Sequence, residues 1–322
     1  MQVIRNPTQD EIKFAAKALK NGHLVSFPTE TVYGLGADAT NEKAVGKIYA
    51  AKGRPINHPV IVHISSANQL ENWVQEIPEY AMRLGNAYWP GPMTLILKRN
   101  SRALDFITGG QESVGLRVPN HQVALALTRE FEKLGGFGIA APSANRFGSV
   151  SPTTARAVEE ELGEFLGDED LILDDGPCKI GVESSIIDCT QVNPVVLRPG
   201  AITREMIEEV TGLTISLKAD GSEIRASGLL DSHYAPKAKV FLGLAAQPGD
   251  GFIALDQIPT PVGSIRLASP ASIEDYARDL YGALRMGDQL GLNKIYVVKP
   301  EGSGLAIAIR DRLVKASWGN CS

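Results

Sequence analysis

The chain has 322 residues, 43% hydrophobic and 21% charged, with a formal net charge of −5 and an isoelectric point near 5.7. That length suggests two domains of roughly 100–200 residues each, with enough apolar material for a core. The acidic balance argues against a surface that grips nucleic acid over its whole extent, while leaving room for a local basic cavity.

Three scattered cysteines, Cys178, Cys189 and Cys321, form no C-x-x-C pair. Neither a zinc site nor a disulfide framework is indicated, and a reducing compartment fits best. No uncharged apolar stretch approaches the ~18 residues of a membrane span, and the first residues carry no apolar signal core. The expectation is a soluble, cytoplasmic protein.

Thr8-Gln9-Asp10-Glu11 is a capping box opening a helix whose apolar face includes Ile12, Ala15, Ala16 and Leu19, with Gly22 to close it. Residues 24–27 read as a strand ended by Pro28. Asn41 caps a second helix running to about Ala51, with Gly53 just past its end. A strand at 60–64 and helical stretches at 67–74 and 78–88 follow, then strands at 94–97 and 114–118. Helices at 123–131 and 153–162 flank a strand at 138–141. Strands at 171–173, 185–188 and 195–197 precede a helix at 203–210. Short loops and mixed spacing predict an α/β domain with a mixed sheet over residues 1–215.

Residues 216–238 read as a linker, from the Gly/Ser-bearing runs at 218–222 and 226–228, although Asp231-Ser232-His233-Tyr234-Ala235-Pro236 is too distinctive for a plain spacer. Residues 239–322 read as a small Rossmann-like α/β unit. Its strands are expected at 240–242, 252–255, 264–267 and 295–298, and its helices at 272–290 and 305–316.

Gly34-Leu35-Gly36-Ala37-Asp38-Ala39 matches G-x-G-x-x-A, but no helix opens at the glycines and no acidic residue completes a dinucleotide fingerprint. A tight turn with φ > 0 is the expected use of these glycines. No Walker A string, G-x-S-x-G elbow or H-E-x-x-H occurs.

The chemistry concentrates elsewhere. Lys52-Gly53-Arg54-Pro55 places two cations one residue apart on a Gly-Pro turn, and Ser143-Ala144-Asn145 offers a hydroxyl and an amide. A point charge, a planar fork and neutral hydrogen-bonding groups suit a polyanion such as a nucleotide triphosphate. Taken alone, Lys52 also fits as a cation complementing a helix C-terminus. His58 and His63 flank Val60-Ile61-Val62 without the further ligands a metal needs. Arg117 lies inside an apolar strand and needs an anion, from the protein or from a ligand. Arg198 repeats that logic at a strand end, and Glu183-Ser184-Ser185 adds one carboxylate and hydroxyls. Catalysis by positioning and charge neutralisation fits this set better than a nucleophile.

Phe27-Pro28-Thr29-Glu30-Thr31-Val32-Tyr33-Gly34-Leu35, Lys52-x-Arg54, Gly91-Pro92-Met93-Thr94, Gly115-Leu116-Arg117-Val118-Pro119 and Ala141-Pro142-Ser143-Ala144-Asn145 together resemble the YrdC-like domain. Glu183-Ser184-Ser185-Ile186-Ile187-Asp188 and Leu197-Arg198-Pro199-Gly200 continue the likeness. His233-Tyr234-Ala235-Pro236 and the small unit after it resemble the two-domain form of the L-threonylcarbamoyladenylate synthases. The resemblance implies a twisted mixed sheet around a basic cavity. It implies a nucleotidyltransferase making threonylcarbamoyl-AMP and pyrophosphate from L-threonine, bicarbonate or CO₂ and ATP. It further implies Mg²⁺ carried by the ATP phosphates rather than by protein ligands, and transient handover to the machinery that modifies tRNA next to the anticodon.

Carried over residue by residue, the family pattern puts Lys52, Arg54, Ser143 and Asn145 around the phosphates. It puts Arg54, His58, Ser113, Ser143, Ser151, Arg198 and Tyr234 on ATP, and Thr31, His63, Arg117, Ala141 and Ser184 on threonine. His58 stands where some members carry Asn, and Ser113 where Thr is frequent. The residues around His233-Tyr234 are expected to fold over the cavity as a lid. Two rival readings remain: an RNA-binding protein using the cavity without chemistry, and the carbamoyl-phosphate-using YrdC-like module of hydrogenase maturation. The acidic isoelectric point and the absence of aromatic residues interleaved with a basic stripe argue against the first. The absence of Cys-rich segments argues against the second.

Overall fold

The structure is a computed structural model that describes residues 1–217, 224–226, 228 and 233–317. The expected linker run at 218–222, Ser227, Asp231, Ser232 and Cys321 lie outside the described residues. No described helix is long and apolar enough to cross a membrane.

The first unit begins with β1 (Gln2–Arg5), α1 (Gln9–Lys20), β2 (Val25–Phe27), β3 (Gly34–Asp38), α2 (Glu42–Lys52) and β4 (Ile61–His63). It continues with α3 (Glu79–Tyr88), β5 (Met93–Lys98), α4 (Asp105–Thr108), β6 (Ser113–Arg117), α5 (Gln122–Lys133) and β7 (Ile139–Ala140). It closes with α6 (Ala155–Leu162), β8 (Leu171–Asp174), β9 (Ser185–Asp188), β10 (Val195–Arg198), α7 (Arg204–Thr211) and β11 (Ser216–Leu217). The strands form one sheet in the order β1-β8-β2-β3-β7-β4-β6-β5-β9-β10-β11, with parallel and antiparallel pairs mixed.

The capping box of α1 is complete: Thr8 Oγ1 accepts from the Glu11 amide and the Glu11 carboxylate accepts from the Thr8 amide. Asn41 caps α2, and Gly53 ends it in the left-handed region with φ 61°. The stretch expected to be helical at 67–74 is a 3₁₀ helix, Ala67–Asn72.

The glycines expected in a tight turn are instead in β3, a strand the alternation of apolar residues does not reveal. Neither Gly34 nor Gly36 has a positive φ. Close packing explains Gly36: a Cβ there would stand 2.8 Å from both Ile139 Cγ2 and Phe27 Cε1. The strand is squeezed between two large side chains, which only a residue without a side chain permits.

The second unit comprises β12 (Lys239–Leu242), β13 (Gly251–Ile253), β14 (Ile265–Ala268), α8 (Ile273–Gln289), β15 (Lys294–Val297) and α9 (Leu305–Ala316). Its four strands pair in the order β12-β15-β13-β14, all parallel. Its core does not stop at its own boundary. One buried cluster joins Val240, Ile253, Leu280, Leu284, Ile309 and Leu313 to Tyr234 and to Val32, Val150 and Val182 of the first unit. The second unit is therefore packed onto the loops that edge the large sheet, which is where the candidate site lies.

Candidate functional site

Lys52 does not serve the C-terminus of α2. The helix C-terminus is served by Arg146, whose Nη1 donates to the Ala51 carbonyl at 2.8 Å. Lys52 Nζ turns away and donates to the Ser143 carbonyl at 2.6 Å and to the Asn145 carbonyl. The side chain is 2% exposed, and burial followed by the nearby Arg54 charge lowers its pKa well below that of a free lysine. A cation held in that way is stabilised by an arriving anion. Arg54 is fixed by its own loop, through Nε to His58 O at 3.3 Å and Nη2 to Pro59 O at 2.7 Å. Burial brings its pKa down to about 10.

Arg117, at the end of β6, has its anion within the protein. Its Nη2 lies 2.8 Å from Glu30 Oε1, with both side chains 6% exposed, and donates to Thr31 Oγ1 at 2.9 Å. Arg117 Nε and both Glu30 oxygens make no hydrogen bond with the protein, so the pair is close without being aligned. His63, at the end of β4, packs edge-on against Phe27 and leaves Nδ1 without a protein partner. Burial, followed by the Arg117 charge, lowers its pKa to about 3, so the ring is neutral near pH 7.

Arg198 Nε donates to the Ser184 carbonyl at 3.0 Å and its Nη2 to Ser184 Oγ at 3.2 Å, while that hydroxyl also bonds Thr94 Oγ1 at 2.9 Å. Tyr234 adopts φ 62°, is 1% exposed and has no hydrogen-bond partner for its hydroxyl. A non-glycine residue held left-handed and buried is a site of local strain, a feature that clusters where ligands bind. Burial of the neighbouring His233 lowers its pKa to about 3. An aromatic chain runs from His58 through Phe147, His233 and Tyr234 to Tyr281 of α8.

One cavity gathers Arg54, His63, Arg117, Ala141, Ser143, Ser184, Arg198 and Tyr234, each expected at a binding position from sequence. These come from stretches far apart in the chain, brought to common sheet ends by the fold. Lys52, Thr31 and Asn145 stand behind that lining, Lys52 through the 143–145 carbonyls and Thr31 through Arg117. Asn145 keeps Oδ1 without a partner while its Nδ2 donates to the Arg146 and Ser149 carbonyls. Ser151 does not line the cavity; its hydroxyl donates to Glu183 Oε1 at 2.6 Å. Ser113 begins β6, four residues from Arg117 and on the same strand face, about 13 Å away. His58 does not line the cavity; its ring packs edge-on against Phe147.

Sequence reasoning missed Glu30 and Glu183 as site residues and named His233 only within a lid. Glu30 was signalled by its place inside the Thr29–Thr31 run, and Glu183 by the lone carboxylate beside two serines. The second unit's contribution was harder to see. Tyr281 and Arg312 both reach Glu183, and Arg312 falls at a four-residue spacing between Ala308 and Ala316 on the buried side of α9. Among the described residues no group of three or more His, Cys, Asp or Glu side chains is arranged to hold a metal ion.

Two family patterns match the chain. The Sua5–YciO–YrdC pattern, described as telomere recombination, matches residues 17–200, and the threonylcarbamoyl-AMP synthase C-terminal domain matches residues 202–317. The chain is 41% identical to the threonylcarbamoyl-AMP synthase of Pyrococcus abyssi, over 95% of this chain and 94% of that one. It is 39% identical to the Bacillus subtilis protein of the same name, over 96% and 93%. The crystal structure of P. abyssi Sua5 complexed with L-threonine superposes with a TM-score of 0.88 at 37% identity, covering 98% of this chain and 97% of that one.

Proposed function

The chain belongs to the Sua5–YciO–YrdC family, in the form that carries a threonylcarbamoyl-AMP synthase C-terminal domain, and on that premise we propose that it is an L-threonylcarbamoyladenylate synthase. The reaction joins L-threonine, bicarbonate or CO₂ and ATP into threonylcarbamoyl-AMP and pyrophosphate. It serves threonylcarbamoyladenosine formation in tRNA, with transient handover to the transferase that acts on tRNA. The observation that carries the reading is the convergence of Arg54, His63, Arg117, Ser143, Ser184, Arg198 and Tyr234 on one cavity.

The amine of threonine adds to CO₂ with loss of a proton, giving a carbamate. A carbamate oxygen then attacks the α-phosphorus of ATP as pyrophosphate leaves in line. No protein nucleophile is required: Cys178 and Cys189 are buried, and burial pushes the Cys178 thiol up to about 12. The work left to the protein is positioning and charge neutralisation. Arg54 and Ser143 face the phosphates from the cavity wall, and Lys52 adds its charge from behind, holding the Ser143–Asn145 loop through the Ser143 and Asn145 carbonyls. Mg²⁺, carried by the ATP phosphates, would offset part of their charge. The Ser143 hydroxyl and the unpartnered Asn145 Oδ1 are hard oxygen donors of the kind it accepts. Arg117 takes the threonine carboxylate. Neutral His63 and the Ser184 hydroxyl hydrogen-bond the same substrate, and Ala141 shapes its pocket.

The cavity is narrow, about 50 Å³, which holds a few waters and not a nucleotide. The His233–Tyr234 side therefore withdraws to admit ATP and returns over it, keeping water from the carbamate. Where it crosses the first unit, Ala235 N donates to Gly148 O at 3.1 Å beside a bridge from Ser149 to Ala235, and His233 packs edge-on against Phe147.

Pyrophosphate release from ATP, Mg²⁺ and bicarbonate, with and without L-threonine, tests the reading. Threonine-dependent release that falls at least about a hundredfold in Lys52→Ala is expected, the loss that accompanies removal of a preorganised charge. No release from folded protein under any condition would move the assignment to the RNA-binding alternative.

A further inference from the structure

Glu183 poses a problem for a site that takes a triphosphate. Its carboxylate lines the same cavity as Arg54, Ser143 and Arg198. It is ionised: burial alone would raise its pKa, but the Arg312 and Arg198 charges and the Ser151 hydrogen bond bring it down to about 2. A fixed negative charge beside incoming phosphates opposes binding unless something cancels it. Its partners divide cleanly. Ser151 Oγ at 2.6 Å and Tyr281 OH at 2.9 Å are neutral donors that satisfy oxygens without cancelling charge. Arg312 Nε donates to Glu183 Oε2 at 2.9 Å, and the arginine side chain is fully buried.

Arg312 belongs to α9 of the second unit. Its Nη1 is aligned by Asp311 at 2.6 Å, and its guanidinium lies 5.3 Å from the centre of the Tyr234 ring. One turn further along, Lys315 Nζ donates to the carbonyl of Gly228, another cavity-lining residue, at 2.7 Å. The same helix face thus reaches the cavity wall at Glu183, at Tyr234 and at Gly228.

We propose that Arg312 is a positioning residue for ATP use: by neutralising Glu183 it lets the cavity accept a triphosphate, so the C-terminal unit completes the nucleotide site rather than only carrying the linker. The inference rests on the synthase reading above. It differs from a general docking role, because Arg285 of α8 also ties the two units together, through Glu161 at 3.0 Å and the Val150 carbonyl, without touching Glu183.

The test uses the full chain and measures KM for ATP and for L-threonine separately in threonine-dependent pyrophosphate release. Variants are Arg312→Met, Arg312→Met with Glu183→Gln, and Arg285→Met. Arg312→Met is expected to raise the ATP KM at least about tenfold while the threonine KM stays within about threefold. The double variant, with the stranded carboxylate removed, returns the ATP KM to within about threefold of wild type. Arg285→Met loosens the same interface and leaves the ATP KM unchanged. An unchanged ATP KM in folded Arg312→Met, parallel rises in both KM values, or a double variant as weak as the single would overturn the proposal. If Arg312→Met does not fold, the double variant decides alone: a near-wild-type ATP KM supports the proposal and a tenfold rise refutes it. If wild type itself releases no pyrophosphate, the synthase reading has failed. The same variants titrated with a fluorescent ATP analogue then still decide the role of Arg312.

Discussion

Arg117→Met removes one member of a buried ion pair and strands the other. Arg117 and Glu30 are each 6% exposed and 2.8 Å apart. At that separation and an effective dielectric near 20 their attraction is about 6 kcal/mol before desolvation. Removing one partner of such a pair lowers stability by about 3–5 kcal/mol, because the remaining charge stays buried. In melting temperature this is on the order of 10 °C. Adding Glu30→Gln removes the stranded charge and recovers most of that loss. Catalysis follows a different course if Arg117 holds the threonine carboxylate. The double variant is stable again but still lacks its anion receptor, and its threonine KM remains raised by roughly 30- to 1000-fold, the factor for about 2–4 kcal/mol. Thermal melts followed by circular dichroism read the first effect, and threonine titrations of pyrophosphate release read the second. A double variant that recovers both stability and threonine KM would leave Arg117 as no more than the counter-ion of Glu30 and remove it from the threonine site.

Protonation gives two further tests. Burial lowers the His63 and His233 pKa values to about 3, below the ordinary 6.5. The unfolded chain therefore binds more protons between those limits, so stability rises with pH across that window and is lost as pH falls below 6.5. The slope approaches 1.4 kcal/mol per pH unit for each group. Glu183 adds a loss of the same sign as pH falls below its ordinary 4.5 toward about 2. Denaturant titrations across the window should show this slope, and His63→Gln should roughly halve it; a flat wild-type profile contradicts the prediction. At Lys52, whose pKa burial and Arg54 hold low, a bound triphosphate favours the ammonium form. At any pH where the free side chain is partly neutral, ATP binding should then take up protons, seen as different calorimetric heats in two buffers of unlike ionisation enthalpy, growing as pH is raised and abolished by Lys52→Met. Gly36→Ala places a methyl 2.8 Å from Ile139 and Phe27, and overpacking of that kind costs about 1–3 kcal/mol. A melting temperature equal to wild type would show that β3 has more room than these distances allow.

What could be read from the chain was what local chemistry writes into it. The capping box at Thr8–Glu11, the Asn41 cap and the Gly53 stop are short-range signals, and each forms as expected. The four strands and two helices of the second unit, in Rossmann-like order, followed from their spacing, and the structure adds that all four strands run parallel. The strand β3 was hidden because Gly34 and Gly36 look like turn residues, and their reason is a contact with Phe27 and Ile139 that no local pattern displays. The site divides in the same way. Cations at strand ends stood out by type and place, whereas their counter-charges did not. Glu30 is far from Arg117 in sequence, and Arg312 is far from Glu183, so neither pairing exists until the chain is folded. Ser151 shows the converse: the family pattern offers it to ATP, while its hydroxyl here is engaged with Glu183.

In the proposed reaction threonine, inorganic carbon and AMP end in one molecule. Incubation with ¹³C-bicarbonate, L-threonine, ATP and Mg²⁺, followed by rapid mass spectrometry of the nucleotides, tests it directly. The expected product is a threonylcarbamoyl-AMP ion carrying the ¹³C label, formed together with pyrophosphate and absent when threonine is omitted. An unlabelled threonyl adenylate, or pyrophosphate formed without threonine, would contradict it.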